Sequence, residues 1–211
     1  GILRKTNFGV LFNVKSVRKA SDLAYTSHYL SAHTDNPYRK PIPGIQLLHC
    51  LKNDSVGGHS TLSDGFAVAT YMKKKFPKFF QILILIKIRF SYQDDETILE
   101  NWGELIELNP DSTVKRVRLS PRLDYVPVLQ KNKLNQFYKA RSKFIELCNS
   151  KKFMVEFKLM PGDIMIMDNY RTLHGRTSYN MSIGERHLQG CYVDHDSVES
   201  NMKNLKKKFS I

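Results

Sequence analysis

Short apolar runs, each about the length of a strand, dominate the hydrophobic pattern of the chain. They are bounded by Gly, Pro, Asn, Asp or Ser, which is typical of strands with at least one buried face. The pattern therefore predicts a mainly β protein. The strands are expected at Phe8–Val14, Gly44–Leu51, Ile82–Phe90, Glu104–Leu108, Val114–Leu119, Phe153–Leu159, Asp163–Met167 and Leu188–Val193.

Apolar residues at helical spacing interrupt these runs in two places. The first helix should run from about Gly65 to Lys75 and end before Pro77, because proline breaks a helix interior. The second should begin near Pro127 and end near Asn149, and a basic helix should follow Asp196. Many strands with few helices predict a β-sandwich or barrel, here a jelly roll with helical insertions.

Length and composition favour one soluble domain over residues 1–211. The longest apolar stretch, Ile82–Ile86, is far too short to span a membrane, and no signal-peptide pattern follows Gly1. Cys50, Cys148 and Cys191 are widely spaced, which predicts buried thiols in a reducing, cytoplasmic compartment. The chain starts at Gly1, so we expect either a whole domain or a piece of a longer polypeptide. The sequence leaves open whether two copies form a homodimer.

The formal charge of +13 allows several interpretations. A positive field attracts anionic ligands, including small dicarboxylates and nucleic acids. Lys-rich surfaces are also common without any such ligand. The clusters Lys73–Lys75 and Lys206–Lys208 are not interleaved with aromatic residues, so nucleic-acid binding is not favoured.

A candidate metal site begins at the motif His33-Thr34-Asp35. On an extended strand, residues two apart point to the same side, so an imidazole and a carboxylate could share one ion. The motif alone is weak in a chain with seven His. His174, between an apolar strand and Gly175, would complete a facial triad for iron(II), with open positions for a 2-oxo acid and O2.

Arg186 lies twelve residues after His174 and precedes another apolar strand. A planar guanidinium is a natural bidentate partner for the distal carboxylate of 2-oxoglutarate. The order His-x-Asp, His and Arg is much more specific than any of its parts. No phosphate-binding Gly-rich loop, nucleophile elbow or paired-carboxylate pattern accompanies it.

These motifs resemble the γ-butyrobetaine and trimethyllysine dioxygenases, a branch of the taurine-dioxygenase-like superfamily. The likeness covers nearly the whole chain and is weakest between about Gln93 and Asp124. The segments that carry it are 23–26 (LAYT), 30–35 (LSAHTD), 43–50 (PGIQLLHC), 57–60 (GGHS), 64–66 (DGF), 161–163 (PGD), 168–171 (DNYR), 173–176 (LHGR) and 186–192 (RHLQGCY).

The resemblance implies a double-stranded β-helix with Fe(II) as cofactor, 2-oxoglutarate as cosubstrate and O2 as oxidant. His33, Asp35 and His174 match the metal ligands, and Arg186 matches the 2-oxoglutarate arginine. Ser60 matches a hydroxyl near the same carboxylate, and Leu48 a side chain packed on the cosubstrate. Nothing in the chain matches the small N-terminal zinc domain of family members.

The branch binds quaternary ammonium groups in aromatic cages, which supply cation–π attraction without hydrogen bonds. Carried over by position, the cage consists of Phe8, Phe12, Tyr25 and Tyr192. Phe8 and Phe12 replace Tyr and Trp of γ-butyrobetaine relatives, and an alternative is that they are core residues. Asp22 stands where those relatives have Asn for the substrate carboxylate.

Recognition of the other end of the substrate remains open in the sequence. An acid at position 22 is typical of trimethyllysine relatives, where it could meet an α-ammonium. Arg118 or Arg122 could instead bind a carboxylate or phosphonate, or either could be a solvated strand residue.

The resemblance implies hydroxylation of a small trimethylammonium compound, as in carnitine biosynthesis. An oxygenase of the same fold acting on a sulfonate, phosphonate or amino acid is one alternative. A basic binding module without enzymatic activity is another.

Overall fold

A computed structural model of the 211-residue chain describes residues 2–15, 26–180 and 182–210. Among the described residues, three helices lie between strands and a fourth follows the last strand. In chain order the elements are β1 (Phe12–Lys15), β2 (Leu30–His33), β3 (Ile45–Asn53), β4 (Val56–Gly57), β5 (Ser60–Asp64), α1 (Gly65–Lys75), α2 (Pro77–Leu85), β6 (Ile88–Gln93), β7 (Ile98–Gly103), β8 (Ile106–Leu108), β9 (Val114–Val117), β10 (Asp124–Tyr125), α3 (Lys131–Cys148), β11 (Met154–Phe157), β12 (Ile164–Asp168), β13 (Thr172–Arg176), β14 (Tyr179–Asn180), β15 (Arg186–Val193) and α4 (His195–Phe209).

Two four-stranded antiparallel sheets form the centre of the molecule. The major sheet has the order β1-β15-β3-β12, and the minor sheet has the order β11-β5-β13-β2. Side chains of both sheets, including Leu48 and Leu188 from one and Leu62 and Phe157 from the other, meet in a single apolar cluster. This double-sheet arrangement is a jelly roll, as the strand pattern predicted.

The helices α1, α2 and α3 pack together beside the jelly roll around a second and larger core. Phe80, Phe137 and Phe144 are fully buried there, together with Phe90 from the three-stranded sheet β10-β6-β7. Asp64 caps α1, because its carboxylate accepts hydrogen bonds from the backbone N–H groups of the first turn.

The predicted helices are confirmed with shifted boundaries. The first spans Gly65–Lys75 as expected, but the proline after it begins a new helix instead of only ending the old one. The second begins at Lys131, four residues after Pro127, and ends at Cys148. The basic helix spans His195–Phe209.

The predicted strand Ile82–Phe90 is wrong over its first half. Pro77 occupies the first turn of α2, where its missing N–H costs nothing, and the helix continues to Leu85. Phe80 and Leu83, three apart, are buried on its inner face, and the strand begins only at Ile88. A short apolar run does not distinguish a buried helix from a buried strand.

Cys50, Cys148 and Cys191 are free and buried, which confirms the prediction of separate thiols. Among the described residues, no helix is sufficiently long and apolar to cross a membrane.

Candidate metal centre

β2 and β13 place two imidazoles side by side. His33 is the last residue of β2 and faces His174 directly across the antiparallel pair, so the ring centroids are 4.3 Å apart. Gly175 makes this close pairing possible, because a Cβ at that position would lie 2.5 Å from the carbonyl oxygen of Leu30. The glycine after His174 therefore allows β2 and β13 to approach each other closely.

Asp35 reaches the two imidazoles from a bend beyond the end of β2, not from the strand itself. Its Oδ1 lies 3.4 Å from Nε2 of His33 and 3.8 Å from Nε2 of His174. Asn169 holds this bend: its Oδ1 accepts from the backbone N–H of Asp35 at 2.7 Å, and its Nδ2 donates to the carbonyl of Asp35 at 2.9 Å. Ligand atoms of the three residues all lie within 4.8 Å of one another.

The protonation of these groups suits a divalent cation. Nδ1 of His33 lies 2.9 Å from the carbonyl oxygen of Ser31, which leaves Nε2 facing the centre. Burial and the neighbouring His33 lower the pKa of His174 to about 4, so its imidazole is neutral at pH 7. Burial alone would raise the pKa of Asp35, but the adjacent imidazoles and hydrogen bonds outweigh it and keep the carboxylate charged.

Gln46 and Tyr192 donate hydrogen bonds to Oδ2 of Asp35, the carboxylate oxygen that faces away from the histidines. The Nε2 of Gln46 donates to Oδ2 at 2.6 Å, and the hydroxyl of Tyr192 donates to the same oxygen at 2.7 Å. The sequence analysis assigned Tyr192 only to the aromatic cage and missed Gln46. A glutamine between the apolar residues of β3 was the available signal, since a buried amide needs a partner.

A cavity of about 970 Å³ extends from the three side chains. Its walls come from the jelly roll, from the N-terminal residues around Phe8 and from the sheet β10-β6-β7. The predicted residues Phe8, Phe12, His33, Asp35, Leu48, Ser60, His174, Arg186 and Tyr192 all line it. The structure thus brings these nine predicted residues together.

Arg186 lines this cavity in surroundings that are suited to binding an anion. The side chain is buried, and its Nε donates to the carbonyl oxygen of Gly58 at 3.0 Å. Burial and the nearby charge of Arg176 lower the pKa of Arg186 to about 10, so it remains cationic at pH 7. Among the residues that the structure describes, no carboxylate pairs with Arg186. Ser60 and Leu48 line the same cavity.

Arg176, two residues after His174, mainly holds the backbone. Its guanidinium donates to the carbonyl oxygens of Thr26 and His28 at 2.8 and 3.0 Å. It thereby ties the segment before β2 to β13.

Aromatic rings form another part of the cavity wall. The ring of Phe12 stacks on Tyr192 at 5.1 Å, and Phe8 meets Tyr92 edge-on at 5.6 Å. Tyr92 stacks in turn on Tyr38 at 5.0 Å. The sequence analysis did not find Tyr38 or Tyr92, which reach the wall from the bend after Asp35 and from β6.

Asp22 and Tyr25, which the sequence analysis assigned to substrate binding, lie outside the described residues. In the described part of the aromatic wall, the Arg39 side chain supplies a cation next to Phe8. The guanidinium carbon of Arg39 lies 5.8 Å from the Phe8 centroid and 5.5 Å from that of Tyr38.

The two arginines considered for an anionic substrate group have different surroundings. Arg118 is buried outside the cavity and pairs with Glu107 and Glu104, so it is neither a substrate ligand nor a solvated strand residue. Arg122 lines the cavity, together with Ser120.

Comparison with known proteins shows similarity to a family of dioxygenases. A family profile described as "Taurine catabolism dioxygenase TauD, TfdA family" matches residues 1–192. The chain is 35% identical to the γ-butyrobetaine dioxygenase of Pseudomonas sp. (strain AK-1), over 97% of this chain and 54% of the relative. It is 32% identical to the mitochondrial trimethyllysine dioxygenase of Homo sapiens, over 97% and 49%. The chain thus spans about half the length of the curated relatives it matches.

Solved structures agree on the fold. The PvcB protein from Pseudomonas aeruginosa superposes with a TM-score of 0.66 at 18% identity, covering 93% of this chain and 68% of that one. An asparagine oxygenase superposes with a TM-score of 0.64 at 18% identity, covering 87% and 56%. By profile and by sequence identity, the chain belongs to the taurine catabolism dioxygenase TauD, TfdA family.

Proposed function

We propose that this chain carries the catalytic centre of an Fe(II)- and 2-oxoglutarate-dependent dioxygenase that hydroxylates a small trimethylammonium substrate. The observation that carries the proposal is the convergence of two imidazoles and one carboxylate on a single point of a cavity that also contains a buried arginine. The names of the γ-butyrobetaine and trimethyllysine dioxygenases, which align with nearly the whole chain, support it.

His33, Asp35 and His174 would hold the metal. Two neutral imidazoles and one carboxylate are the donor set of the facial triad that non-haem Fe(II) oxygenases use. When bound, iron with 2-oxoglutarate and O2 supplies the chemistry that inserts one oxygen atom into a substrate C–H bond and releases succinate and CO2. The protein supplies geometry, burial and orientation.

Arg186 would bind the distal carboxylate of 2-oxoglutarate. A buried guanidinium without a carboxylate partner among the described residues needs an anion, and the fork of donors fits a carboxylate in a bidentate manner. The hydroxyl of Ser60 would donate to the same group, and Leu48 would pack on the carbon chain. These residues would orient the cosubstrate toward the metal.

The aromatic wall would bind the trimethylammonium group. Such a cation has no N–H to donate, so ring faces provide attraction without leaving polar groups unpaired. Tyr192 contacts Asp35 and its ring stacks on Phe12, so this pair of rings would hold the substrate close to the metal. Phe8, and Tyr25 by its match to the family, would complete the cage, with Asp22 near the other end of the substrate.

A succinate-release assay tests the proposal. The chain, supplied with Fe(II), 2-oxoglutarate and O2, should form succinate in the presence of γ-butyrobetaine, trimethyllysine or a trimethylammonio-phosphonate. His174→Ala should abolish this turnover, because two ligands remain where three are needed. His59→Ala is the matched control, since His59 is solvent-accessible and pairs with Glu156.

The substrate class is tested by the same compounds without their N-methyl groups. The proposal predicts much less succinate with these amines, because they lose the apolar contacts with the rings. Equal release from both series contradicts the trimethylammonium assignment. Turnover that survives in His174→Ala contradicts the metal assignment.

A further inference from the structure

The two oxygens of the Asp35 carboxylate lie in different surroundings. Oδ1 faces the Nε2 atoms of His33 and His174, at distances of 3.4 and 3.8 Å. Oδ2 faces away and accepts from both Gln46 and Tyr192. A carboxylate oxygen has about two lone-pair sites, so these two donors use the capacity of Oδ2.

Both donors come from the sheet opposite to the histidines. Gln46 on β3 and Tyr192 on β15 are direct partners across the antiparallel pair, so their side chains leave the major sheet at the same place. Gln46 is 2% exposed and Tyr192 is 4% exposed. The major sheet therefore reaches across the jelly roll to hold a carboxylate that belongs to the edge of the minor sheet.

The orientation of Gln46 is determined by Asp35. A charged carboxylate only accepts, so the NH2 group of the amide must face it. The Oε1 of Gln46 is buried without a hydrogen-bond partner among the described residues. This amide is thus held by the carboxylate alone, as expected for a residue whose purpose is to bind Asp35.

Tyr192 is suited to the same purpose. Its hydroxyl lies 2.7 Å from Oδ2, and a phenol O–H can donate to a carboxylate oxygen, which only accepts. Its ring, stacked on Phe12, has a separate role in the cavity wall. The hydroxyl and the ring can therefore be tested separately.

We infer that Gln46 and Tyr192 are positioning residues that make Asp35 a ligand through one oxygen. The inference rests on the proposed function. A carboxylate that chelated through both oxygens would occupy a further coordination position, whereas the facial triad needs three open positions for a chelating 2-oxo acid and O2. By engaging Oδ2, the two donors keep that position open.

Titration of the full chain with Co²⁺ tests the inference without catalysis. The visible absorption of bound Co²⁺ reports its coordination number. Gln46→Leu and Tyr192→Phe remove one donor each while nearly preserving volume. We expect each variant to bind Co²⁺ about 10–100-fold more weakly, as is usual when a partner of a metal ligand is lost, and to change the absorption bands.

Two substitutions elsewhere are matched controls. Gln189→Leu removes a glutamine on β15 whose side chain points away from Asp35 by strand alternation, and Tyr138→Phe removes a hydroxyl on the surface of α3. Both should keep the affinity and the spectrum of the wild type.

The outcomes separate this inference from the proposed function. Wild-type Co²⁺ binding that disappears in His174→Ala, with unchanged spectra in Gln46→Leu and Tyr192→Phe, overturns the inference and leaves the metal site intact. An affinity loss with unchanged spectra also overturns it, because the donors then act only through packing. A wild-type chain that binds no Co²⁺ overturns both.

Discussion

The buried imidazole of His174 shows how strongly the surroundings of one residue determine its chemistry. Desolvation, followed by the proximity of His33, lowers its pKa to about 4 from an ordinary value of 6.5. A metal ligand must be unprotonated, so the folded protein presents His174 ready to bind over most of the acidic range. This readiness has a thermodynamic consequence for the metal-free chain.

The metal-free protein should lose stability as the pH falls from about 6.5 to about 4. Below 6.5 the unfolded chain takes up a proton at His174 that the folded chain does not, so protonation favours unfolding. The full window corresponds to about 3 kcal/mol. Urea unfolding at several pH values measures it, and His174→Asn should show a flatter dependence over this window.

Asp35 does not cancel the effect in that window. Its lowered pKa contributes stability that is present above its ordinary value of 3.8 and is lost only at lower pH. Equal pH slopes for the wild type and His174→Asn would contradict the assignment of the proton to His174.

At the scale of elements, the metal centre depends on the pairing of β13 with β2. The direct register of His174 with His33 brings two ligands together, and the register shifts immediately after His174, at Gly175. A side chain at Gly175 would meet the Leu30 carbonyl at 2.5 Å and Oγ1 of Thr61 at 2.8 Å, on both neighbouring strands. The close spacing of β2, β13 and β5 therefore depends on the absence of a Cβ at Gly175.

Gly175→Ala should move these strands apart and damage the metal site. Forcing extra atoms into a packed site costs typically about 1–3 kcal/mol of stability. A displacement of the ligands that costs about 1.4 kcal/mol of binding would weaken Co²⁺ affinity about tenfold. Thermal unfolding and Co²⁺ titration measure the two effects.

Gly162→Ala is the control for this substitution. Gly162, unlike Gly175, has a positive φ, of +96°, and an added Cβ there would meet nothing within 4 Å. It should lose stability through backbone strain and keep Co²⁺ affinity. Unchanged Co²⁺ affinity in Gly175→Ala would show that the strand spacing does not govern the ligands.

At the scale of the whole molecule, the net charge of +13 produces a positive electrostatic field around the protein surface. Individual cations in the cavity, above all Arg186, act at short range, whereas the field acts on an approaching ligand. 2-Oxoglutarate carries two negative charges at neutral pH, and a trimethylammonium carboxylate carries no net charge. The two ligands should therefore respond differently to salt.

The association rate constant of 2-oxoglutarate with the Co²⁺-loaded protein should fall by about tenfold or more between low and high salt. Steering acts before contact, so the dissociation rate should change little. Stopped-flow mixing over a range of NaCl concentrations measures both constants. The zwitterion γ-butyrobetaine is the control, and equal salt dependence of the two ligands would contradict electrostatic steering.

The fold was readable from the sequence where strands alternate clearly. The strands around Leu48, Met165 and Leu188 were found because their inner residues contribute to one core and their turns carry glycine or proline. The segment Ile82–Leu85 was wrongly predicted as a strand, because a short run of apolar residues fits a buried helix as well as a buried strand. Packing against α3 decides for the helix there, and packing between distant segments is not visible in a local pattern.

The candidate metal ligands and Arg186 could be predicted from the sequence. The residues that support them were harder to predict. His33, Asp35, His174 and Arg186 were identifiable because imidazoles, a carboxylate and a guanidinium carry distinctive chemistry at a distinctive spacing. Arg118 was misjudged because its partners are Glu107, in the β8-β9 hairpin, and Glu104, just before it, and the sequence analysis did not establish this pairing.

The sequence by itself determined the family, the strand-rich architecture and the identity of the candidate ligands. Only the tertiary structure decided that one Asp35 oxygen faces the histidines and the other is held by Gln46 and Tyr192. It also decided that Tyr38 and Tyr92 join the aromatic wall. The reason is physical: residue type determines what a side chain can bind, but hydrogen bonds and ring contacts across two sheets depend on the packing of segments that are far apart in the chain.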